Sequence, residues 1–156
     1  MVIGLFFIFT FSFSLNFMKV NCIFCKIVRG DIPAFKVYED DHVLAFLDIA
    51  PVNPGHVLII PKLHSANLDD VDDLMLAYLM RAVKQIGQAM KKSLGTAGYN
   101  VIINNGTVAG QLVDHCHIHL IPRRANDGLT AWPQSKYKSD EAKKMAAKIK
   151  SGIAVC

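Results

Sequence analysis

Residues 115–121 read HCHIHLI and hold three of the six histidines in this 156-residue chain. In an extended strand, residues two apart point to the same face, so His115, His117 and His119 share one face. Cys116 and the alternating Ile118 and Leu120 then lie on the opposite face, where an apolar core can cover them. The stretch therefore predicts a strand that is apolar on one side and chemically active on the other.

Three interpretations of the histidine face are open. A surface cluster is disfavoured because apolar residues fill every alternate position. Three ligands for one metal are also disfavoured, since histidines spaced along one strand do not easily converge on a tetrahedral ion. The third interpretation is a nucleophilic imidazole flanked by two helpers. The preceding loop, residues 104–111 (NNGTVAGQ), supports the third because its backbone N–H groups and carboxamides suit a phosphate or an oxyanion.

The segments around this strand predict an α+β fold. Apolar, β-branched runs bounded by turn residues indicate five strands, most of them joined as hairpins. One long stretch has apolar residues at a period nearer 3.6 than 2, which indicates a helix. We therefore expect an antiparallel five-stranded sheet with one long helix across it. The expected strands span residues 35–39, 43–48, 56–61, 99–104 and 115–122; the helix spans 74–94, with a helical turn at 22–28 and a terminal helix at 138–149.

Composition restricts the class of protein. With 52% hydrophobic and 19% charged residues, the chain is neither a disordered tail nor a disulfide-dense mini-protein. Six lysines lie between Lys136 and Lys150, against Asp140 and Glu141, and account for the formal net charge of +4. The body of the domain is therefore neutral, which argues against nucleic-acid binding. The lysine-rich segment is interpreted as a solvated helix face, with a phosphate-binding tail as the alternative.

The first 17 residues form an uncharged, phenylalanine-rich segment. It lacks the basic start and the cleavage site of a signal peptide, so a mis-assigned start, a disordered extension and a targeting or membrane segment are all open. No window in residues 18–156 could cross a membrane. We divide the chain into the extension 1–17, a domain over 18–128 and a tail over 129–156. The cysteine spacing does not resemble a secreted disulfide framework, so we expect a cytoplasmic protein.

Several segments resemble the histidine triad (HIT) family, whose signature alternates histidine with hydrophobic residues. The resemblance extends over roughly residues 20–128 and is closest to the Hint-like branch of purine nucleotide hydrolases. It implies a homodimer whose two sheets join into one of ten strands. The matching segments, in the family's order, are 22–33, 45–49, 54–64 and 110–123.

The resemblance also implies the roles of individual residues. His117 would attack the α-phosphorus of a purine nucleoside 5′-phosphoramidate or an acyl-adenylate, giving a nucleotidyl-histidine intermediate without a catalytic metal. His119 and His56 would assist as hydrogen-bond and proton donors, and Asp48 would accept the ribose hydroxyls. Asn104, Gln111 and the backbone of Val113 would hold an AMP- or GMP-like phosphate. The base pocket would be walled by Ile23, Phe24, Ile27, Phe46, Ile49 and Leu58. The alternative is that they are plain core residues, an interpretation as well supported as the pocket for Ile27 and Leu58.

The Cys22-x-x-Cys25 pair has three interpretations: a redox dithiol, two buried thiols, or half of a zinc site. The third needs two more ligands, for which His64 and His115 are the candidates. In related members of the family these four positions resemble a Cys₂His₂ zinc site. Such a closed site would be structural and would not activate water.

One departure from the family pattern concerns specificity. Many Hint-like proteins carry Ser or Thr after the Gly-Gln pair, where this chain has Leu112. A nucleotide-binding interaction module with little turnover is therefore an alternative function. A dinucleoside polyphosphate hydrolase is a second alternative, which Asn104 disfavours because that branch carries glutamine there.

Overall fold

A computed structural model describes residues 21–130 and 132–153, so the expectations for the extension 1–17 lie outside the described residues. The described helices are α1 (Ile23–Arg29), α2 (Asp73–Ser93) and α3 (Glu141–Gly152). The strands are β1 (Lys36–Glu39), β2 (Val43–Leu47), β3 (Val57–Pro61), β4 (Gly98–Ile103) and β5 (Ile118–Arg123). The expected elements are all present, with boundaries that differ by at most three residues.

The five strands form one antiparallel sheet in the order β1-β2-β3-β5-β4. The α+β prediction is therefore confirmed. Strands β1 and β4 are the two edges, and the central strands β2, β3 and β5 are buried along nearly their whole length. Such strands read as continuous apolar runs because both faces of the sheet are covered.

Each face of the sheet has its own core. Alternate residues of the central strands, among them Val57, Ile59 and Ile118, pack with the buried face of α2. The intervening residues, among them Leu58 and Ile60, pack with α1 on the other face. The period of two along β3 and β5 therefore separates the side of the sheet that α2 covers from the side that carries α1 and the histidines.

Local signals explain where the helices begin and end. The Asp72 side chain accepts a hydrogen bond from the Met75 N–H at 2.9 Å and caps α2. Helix α1 ends at Gly30, whose φ of 84° is favourable only for glycine. Among the described residues, no helix is both long enough and apolar enough to cross a membrane.

The histidine stretch enters the sheet later than predicted. Strand β5 begins at Ile118, whereas residues 113–115 form a bend in which the His115 N–H donates to the Val113 carbonyl at 2.8 Å, and residues 116–117 lie between the bend and the strand. The alternation of faces nevertheless holds, because Cys116, Ile118 and Leu120 all belong to the core between the sheet and α2. The three histidines are therefore on the opposite face, as the sequence predicts.

Candidate active site

A cavity of about 590 Å³ opens on the histidine face of the sheet. Its lining is mostly apolar, with a few polar groups that converge on one side, which is the usual composition of a small-molecule site. Most of the sequence-predicted residues lie together in this lining: Ile23, Phe24, Ile27, Phe46, Asp48, Ile49, His56, Leu58, Asn104, Val113, His117 and His119.

His117 is buried in the cavity wall and held there by a backbone hydrogen bond. Its side chain is 5% exposed, and its Nδ1 lies 2.7 Å from the backbone oxygen of His115. A carbonyl can only accept, so Nδ1 carries the proton and Nε2 keeps a lone pair. The Phe24 ring meets the imidazole edge-on, with centroids 5.4 Å apart. The fold thus holds an oriented imidazole in the cavity wall, with Nδ1 engaged and Nε2 left as the nitrogen that can act as a nucleophile.

A second pair of histidines lies beside His117. His56 Nε2 and His119 Nδ1 are 3.0 Å apart, and the Val52 N–H approaches His56 Nδ1 at 3.3 Å. If Val52 donates to Nδ1, the His56 proton is on Nε2 and points at His119 Nδ1. The proton of His119 is then on its own Nε2. The two rings therefore form a directed relay that ends on an N–H donor in the cavity lining.

Burial keeps this pair neutral. It lowers the pKa of His119 to about 4, helped by the neighbouring His117 and His56. Burial likewise lowers the pKa of His56, and the Asp48 carboxylate, 3.5 Å from His56 Nδ1, opposes that shift. At pH 7 both rings are accordingly neutral imidazoles with one donor and one acceptor nitrogen each.

The loop of residues 104–111 approaches the site differently from expectation. Asn104 lines the cavity and its Nδ2 lies 3.4 Å from the Gly110 carbonyl. Gln111 is buried and lies outside the lining. Its amide donates to the carbonyls of Ala66 and Val113 at 2.6 and 3.0 Å, and its oxygen accepts from the Gly106 N–H at 2.8 Å. In this arrangement the Gln111 side chain orders the loop.

Sequence reasoning missed six lining residues. Ile121 continues the alternation of His117 and His119, so the same period of two could have identified it. Ile102 faces His119 across the β4–β5 pair, which only the register of the sheet reveals. No sequence signal marked Ala50, Val52 or Trp132, and Leu112 stood out only as a departure from the family pattern. The six are Ala50, Val52, Ile102, Leu112, Ile121 and Trp132.

Four further predicted residues form a separate cluster next to this cavity. Cys22 is the N-cap residue of α1, and Cys25 lies in the first turn of that helix. His64 follows β3, and His115 precedes β5. One side-chain atom from each lies within 4.8 Å of all the others. The sulfur–nitrogen distances are 3.4 Å for Cys22–His115, 3.4 Å for Cys25–His64 and 3.7 Å for Cys25–His115, and the His64 and His115 Nδ1 atoms are 3.3 Å apart.

These separations fit a tetrahedral zinc ion. With zinc–sulfur and zinc–nitrogen bonds of about 2.3 and 2.05 Å, a tetrahedron has sulfur–nitrogen edges of about 3.6 Å and nitrogen–nitrogen edges of about 3.3 Å. His115 Nε2 lies 3.0 Å from the Pro61 carbonyl, so its proton is on Nε2 and Nδ1 keeps the lone pair that faces the sulfurs. Burial lowers the pKa of His115 to about 4, which keeps that ring neutral.

The cluster and the cavity share a backbone group. The carbonyl of His115, whose ring faces the two cysteines, is the acceptor that fixes the His117 tautomer. None of the three cysteines in the described part of the chain forms a disulfide. The cluster can therefore brace α1 against the strand that carries the catalytic candidates.

Comparison with known proteins places this geometry in a family context. The family model described as HIT domain matches residues 29–126. A Schizosaccharomyces pombe protein named adenosine 5′-monophosphoramidase hnt1 is 43% identical over 136 residues, which cover 86% of this chain and 99% of that protein.

Solved structures agree in fold. A member of the HIT family of proteins from Bacillus subtilis is 43% identical, with a TM-score of 0.81 over 87% of this chain and 99% of its own. A Zn-bound histidine triad family protein from Mycobacterium smegmatis is 35% identical, with a TM-score of 0.68 over 85% of this chain and 98% of its own.

Proposed function

Because the chain belongs to the HIT family, we propose that it hydrolyses purine nucleoside 5′-phosphoramidates or acyl-adenylates through a nucleotidyl-histidine intermediate on His117. The observation that carries the proposal is the His117 imidazole, buried in the cavity wall with its Nδ1 proton engaged by the His115 carbonyl at 2.7 Å. The name of the S. pombe relative, adenosine 5′-monophosphoramidase, supports an adenosine nucleotide as the substrate class.

In the first step His117 Nε2 forms a bond to the α-phosphorus. The bond from phosphorus to the leaving nitrogen, or to the leaving carboxylate oxygen, breaks at the same centre. The imidazole becomes cationic, and its Nδ1–H bond to the His115 carbonyl stabilises that charge. In the second step water attacks phosphorus, the phosphorus–histidine bond breaks, and the nucleoside monophosphate is released.

The relay of His56 and His119 assists this chemistry by hydrogen bonding. The His119 Nε2–H donates a hydrogen bond to the leaving nitrogen, and the His56 Nε2–H, 3.0 Å from His119 Nδ1, holds that ring in the donating orientation. As the phosphorus–nitrogen bond breaks, the leaving nitrogen takes one proton from solvent, so both rings stay neutral. In the second step the attacking water returns one proton to solvent, so the protons balance over the cycle.

The remaining lining residues bind the nucleotide. Asp48, half-buried at the cavity edge, accepts the ribose hydroxyls, and Phe24, Phe46 and Leu58 contact the base. Asn104 and the Val113 N–H hold phosphate oxygens, and Gln111 contributes by ordering the loop that presents them. These contacts would hold the α-phosphorus close to His117 and so lower the entropic cost of the attack.

We propose that Cys22, Cys25, His64 and His115 bind one structural zinc. The match between their separations and the edges of a zinc tetrahedron supports this assignment, as does the Zn-bound relative. Zinc would hold α1, and with it Phe24, against the strand that carries His117. All four positions would be filled by protein, so the ion would not activate water.

We also propose a homodimer that joins two sheets through β4 and α2. Strand β4 is an edge of the sheet, with an exposed Val101, and such an edge offers unpaired backbone groups to another strand. Helix α2 exposes Leu74 and Met80. We propose a cytoplasmic location as well, because thiols such as Cys22 and Cys25 stay reduced there.

The decisive experiment is single-turnover mixing with adenosine 5′-monophosphoramidate, followed by intact-protein mass spectrometry. The wild-type protein should gain one adenylyl group transiently, and His117→Ala should gain none and lose several orders of magnitude in kcat. Leu63→Ala, an exposed change outside the cavity, is the control and should behave as wild type. If His117→Ala kept more than about a tenth of the activity, the covalent route would be wrong. Binding of AMP without turnover by the wild type would favour the interaction module.

A further inference from the structure

The loop of residues 48–56 joins β2 to β3 and supplies five residues of the cavity lining: Asp48, Ile49, Ala50, Val52 and His56. Two backbone hydrogen bonds of 3.0 Å close this loop, from the Asp48 N–H to the His56 carbonyl and from the His56 N–H to the Asn53 carbonyl. The loop also orients the His56 ring, because the Val52 N–H donates to its Nδ1 at 3.3 Å. The position of the loop therefore decides where the Asp48 carboxylate and the His56 imidazole lie.

The side chain of Asn53 anchors this loop to the end of β5. Its Nδ2 donates to the Pro122 carbonyl at 2.9 Å and to Asp127 Oδ2 at 3.1 Å, so both N–H bonds of the amide are engaged. Gly55 packs on the same strand end so closely that a Cβ there would lie 3.2 Å from Pro122 Cγ. The loop is therefore seated on β5 by one polar side chain and one close backbone approach.

The Asp127 carboxylate holds Asn53 in turn. Its side chain is only 7% exposed. It accepts from five N–H groups: the Asn53 amide, two of the Arg123 guanidinium at 2.6 and 2.9 Å, and the backbone N–H of Arg124 and Leu129 at 3.1 and 3.0 Å. The Arg123 guanidinium, together with the backbone groups, holds the pKa of the Asp127 carboxyl well below its usual range, so the acceptor is ionised and its hydrogen bonds are strong. The carboxylate is thereby fixed relative to β5.

We propose that Asp127 is a positioning residue: through Asn53 it fixes the loop of residues 48–56 against the end of β5. The inference rests on the proposed function, in which this loop supplies Asp48 to the ribose and His56 to the relay. Asp127 lies outside the cavity lining, so it acts on the reaction only through the loop. Small displacements of groups that hold a substrate cost rate even when their cause lies far from the reacting atoms.

Steady-state kinetics of the full chain with adenosine 5′-monophosphoramidate test this coupling. Asp127→Asn replaces an acceptor oxygen by an NH₂ group and should lower kcat/KM about 10-fold, because the loop loses its anchor. Asn53→Ala removes the same contact, leaves the other four bonds of the carboxylate in place and should lower kcat/KM by a similar factor. In the Asn53→Ala background, Asp127→Asn should change kcat/KM less than about 2-fold, since the carboxylate then has no loop side chain to hold.

Urea unfolding separates positioning from a merely structural role. Asp127→Asn weakens the bonds to arginine and to the backbone in either background, so it should lower the free energy of unfolding of the wild type and of Asn53→Ala alike. The kinetic loss should disappear in the Asn53→Ala background while this loss of stability remains. Asp31→Asn is the matched control: Asp31 accepts from Arg29 at 2.8 Å and lies outside the cavity lining, so kcat/KM should be unchanged.

Nitrogen NMR of the His56 imidazole gives a readout that does not depend on turnover. In the wild type Nδ1 should be the unprotonated nitrogen, because the Val52 N–H donates to it, and Asp127→Asn should give a mixture of the two tautomers. Additive kinetic losses in the double variant, an unchanged kcat/KM in Asn53→Ala, or a wild-type tautomer in Asp127→Asn would each refute the positioning role. If Asp127→Asn did not fold, Asn53→Ala alone would decide through the same two readouts. Failure of the wild type to hydrolyse the substrate would contradict the proposed function, and the His56 tautomer would then decide the positioning role by itself.

Discussion

Replacing His119 with glutamine should remove most of the acid sensitivity of folding that this side chain causes. Burial, together with His117 and His56, lowers the pKa of His119 to about 4, against 6.5 in a solvated chain. The unfolded protein therefore binds a proton at His119 between pH 6.5 and 4 that the folded protein does not bind. Stability is unaffected above this window and falls as the pH decreases through it.

The size of the effect follows from the two pKa values. At pH 5 an unfolded histidine is almost fully protonated, whereas one with a pKa of 4 is only about one tenth protonated. Integrating that difference from pH 7.5 gives a loss of about 2 kcal/mol at pH 5, and about 3 kcal/mol below pH 4. The groups that face His119 are His117, His56 and Asp48, and the first two share the effect by repelling its charged form.

Urea unfolding of the wild type and His119→Gln at pH 7.5 and pH 5 measures this difference. At pH 7.5 the comparison gives the cost of losing the His56–His119 contact alone, which makes it the internal control. Between the two pH values the wild type should lose about 2 kcal/mol more than the variant, or about 1 M in urea midpoint. Equal losses, within about 0.5 kcal/mol, would show that His119 is solvated in the folded protein and would refute the relay of neutral rings.

Two further predictions concern the metal and the assembly. Elemental analysis of protein purified without a metal-affinity tag should give one zinc per chain. Cys25→Ser should abolish zinc binding, whereas Cys116→Ala, a change in the core under α2, should not. A zinc content near zero in the wild type would show that Cys25 is only a buried thiol. Chelation should lower the melting temperature while hydrolysis survives, because the ion does not contact phosphorus. Sedimentation should show that the wild type is a dimer. Val101→Lys on edge strand β4 should dissociate the dimer, whereas Val37→Lys on the opposite edge strand β1 should leave it intact. A monomeric wild type at micromolar concentration would contradict the shared sheet.

Sequence reasoning succeeded where one local period decided the outcome. The period of two along residues 115–121 placed His117 and His119 on one face and Ile118 on the other. The helix ends at Gly30 and Asp72 are local in the same sense, because capping depends on a few neighbouring residues. These are short-range effects, so one sequence suffices to read them.

The same reasoning was less accurate where tertiary contacts compete with local pattern. The stretch 115–117 has a strand pattern, yet it lies outside β5, and the chain bends at residues 113–115, where the Pro61 carbonyl and the two cysteines hold the His115 ring. Gln111 has the chemistry of a phosphate ligand, but the carbonyls of Ala66 and Val113 take its amide. Pro61 is far from His115 in the sequence, and Ala66 is far from Gln111, so the sequence alone does not reveal these contacts.

By itself the sequence determined the fold class and the face of the sheet that carries the histidines, and it named the four residues that the fold gathers into one cluster, Cys22, Cys25, His64 and His115. Tertiary structure alone decided which nitrogen of His117 is engaged by the backbone and that His56 and His119 lie within hydrogen-bond distance of each other. The physical reason is that tautomers and pKa shifts depend on atoms a few ångströms apart in space. Those atoms come from β3, β5 and the loop of residues 104–111, which only the folded chain brings together.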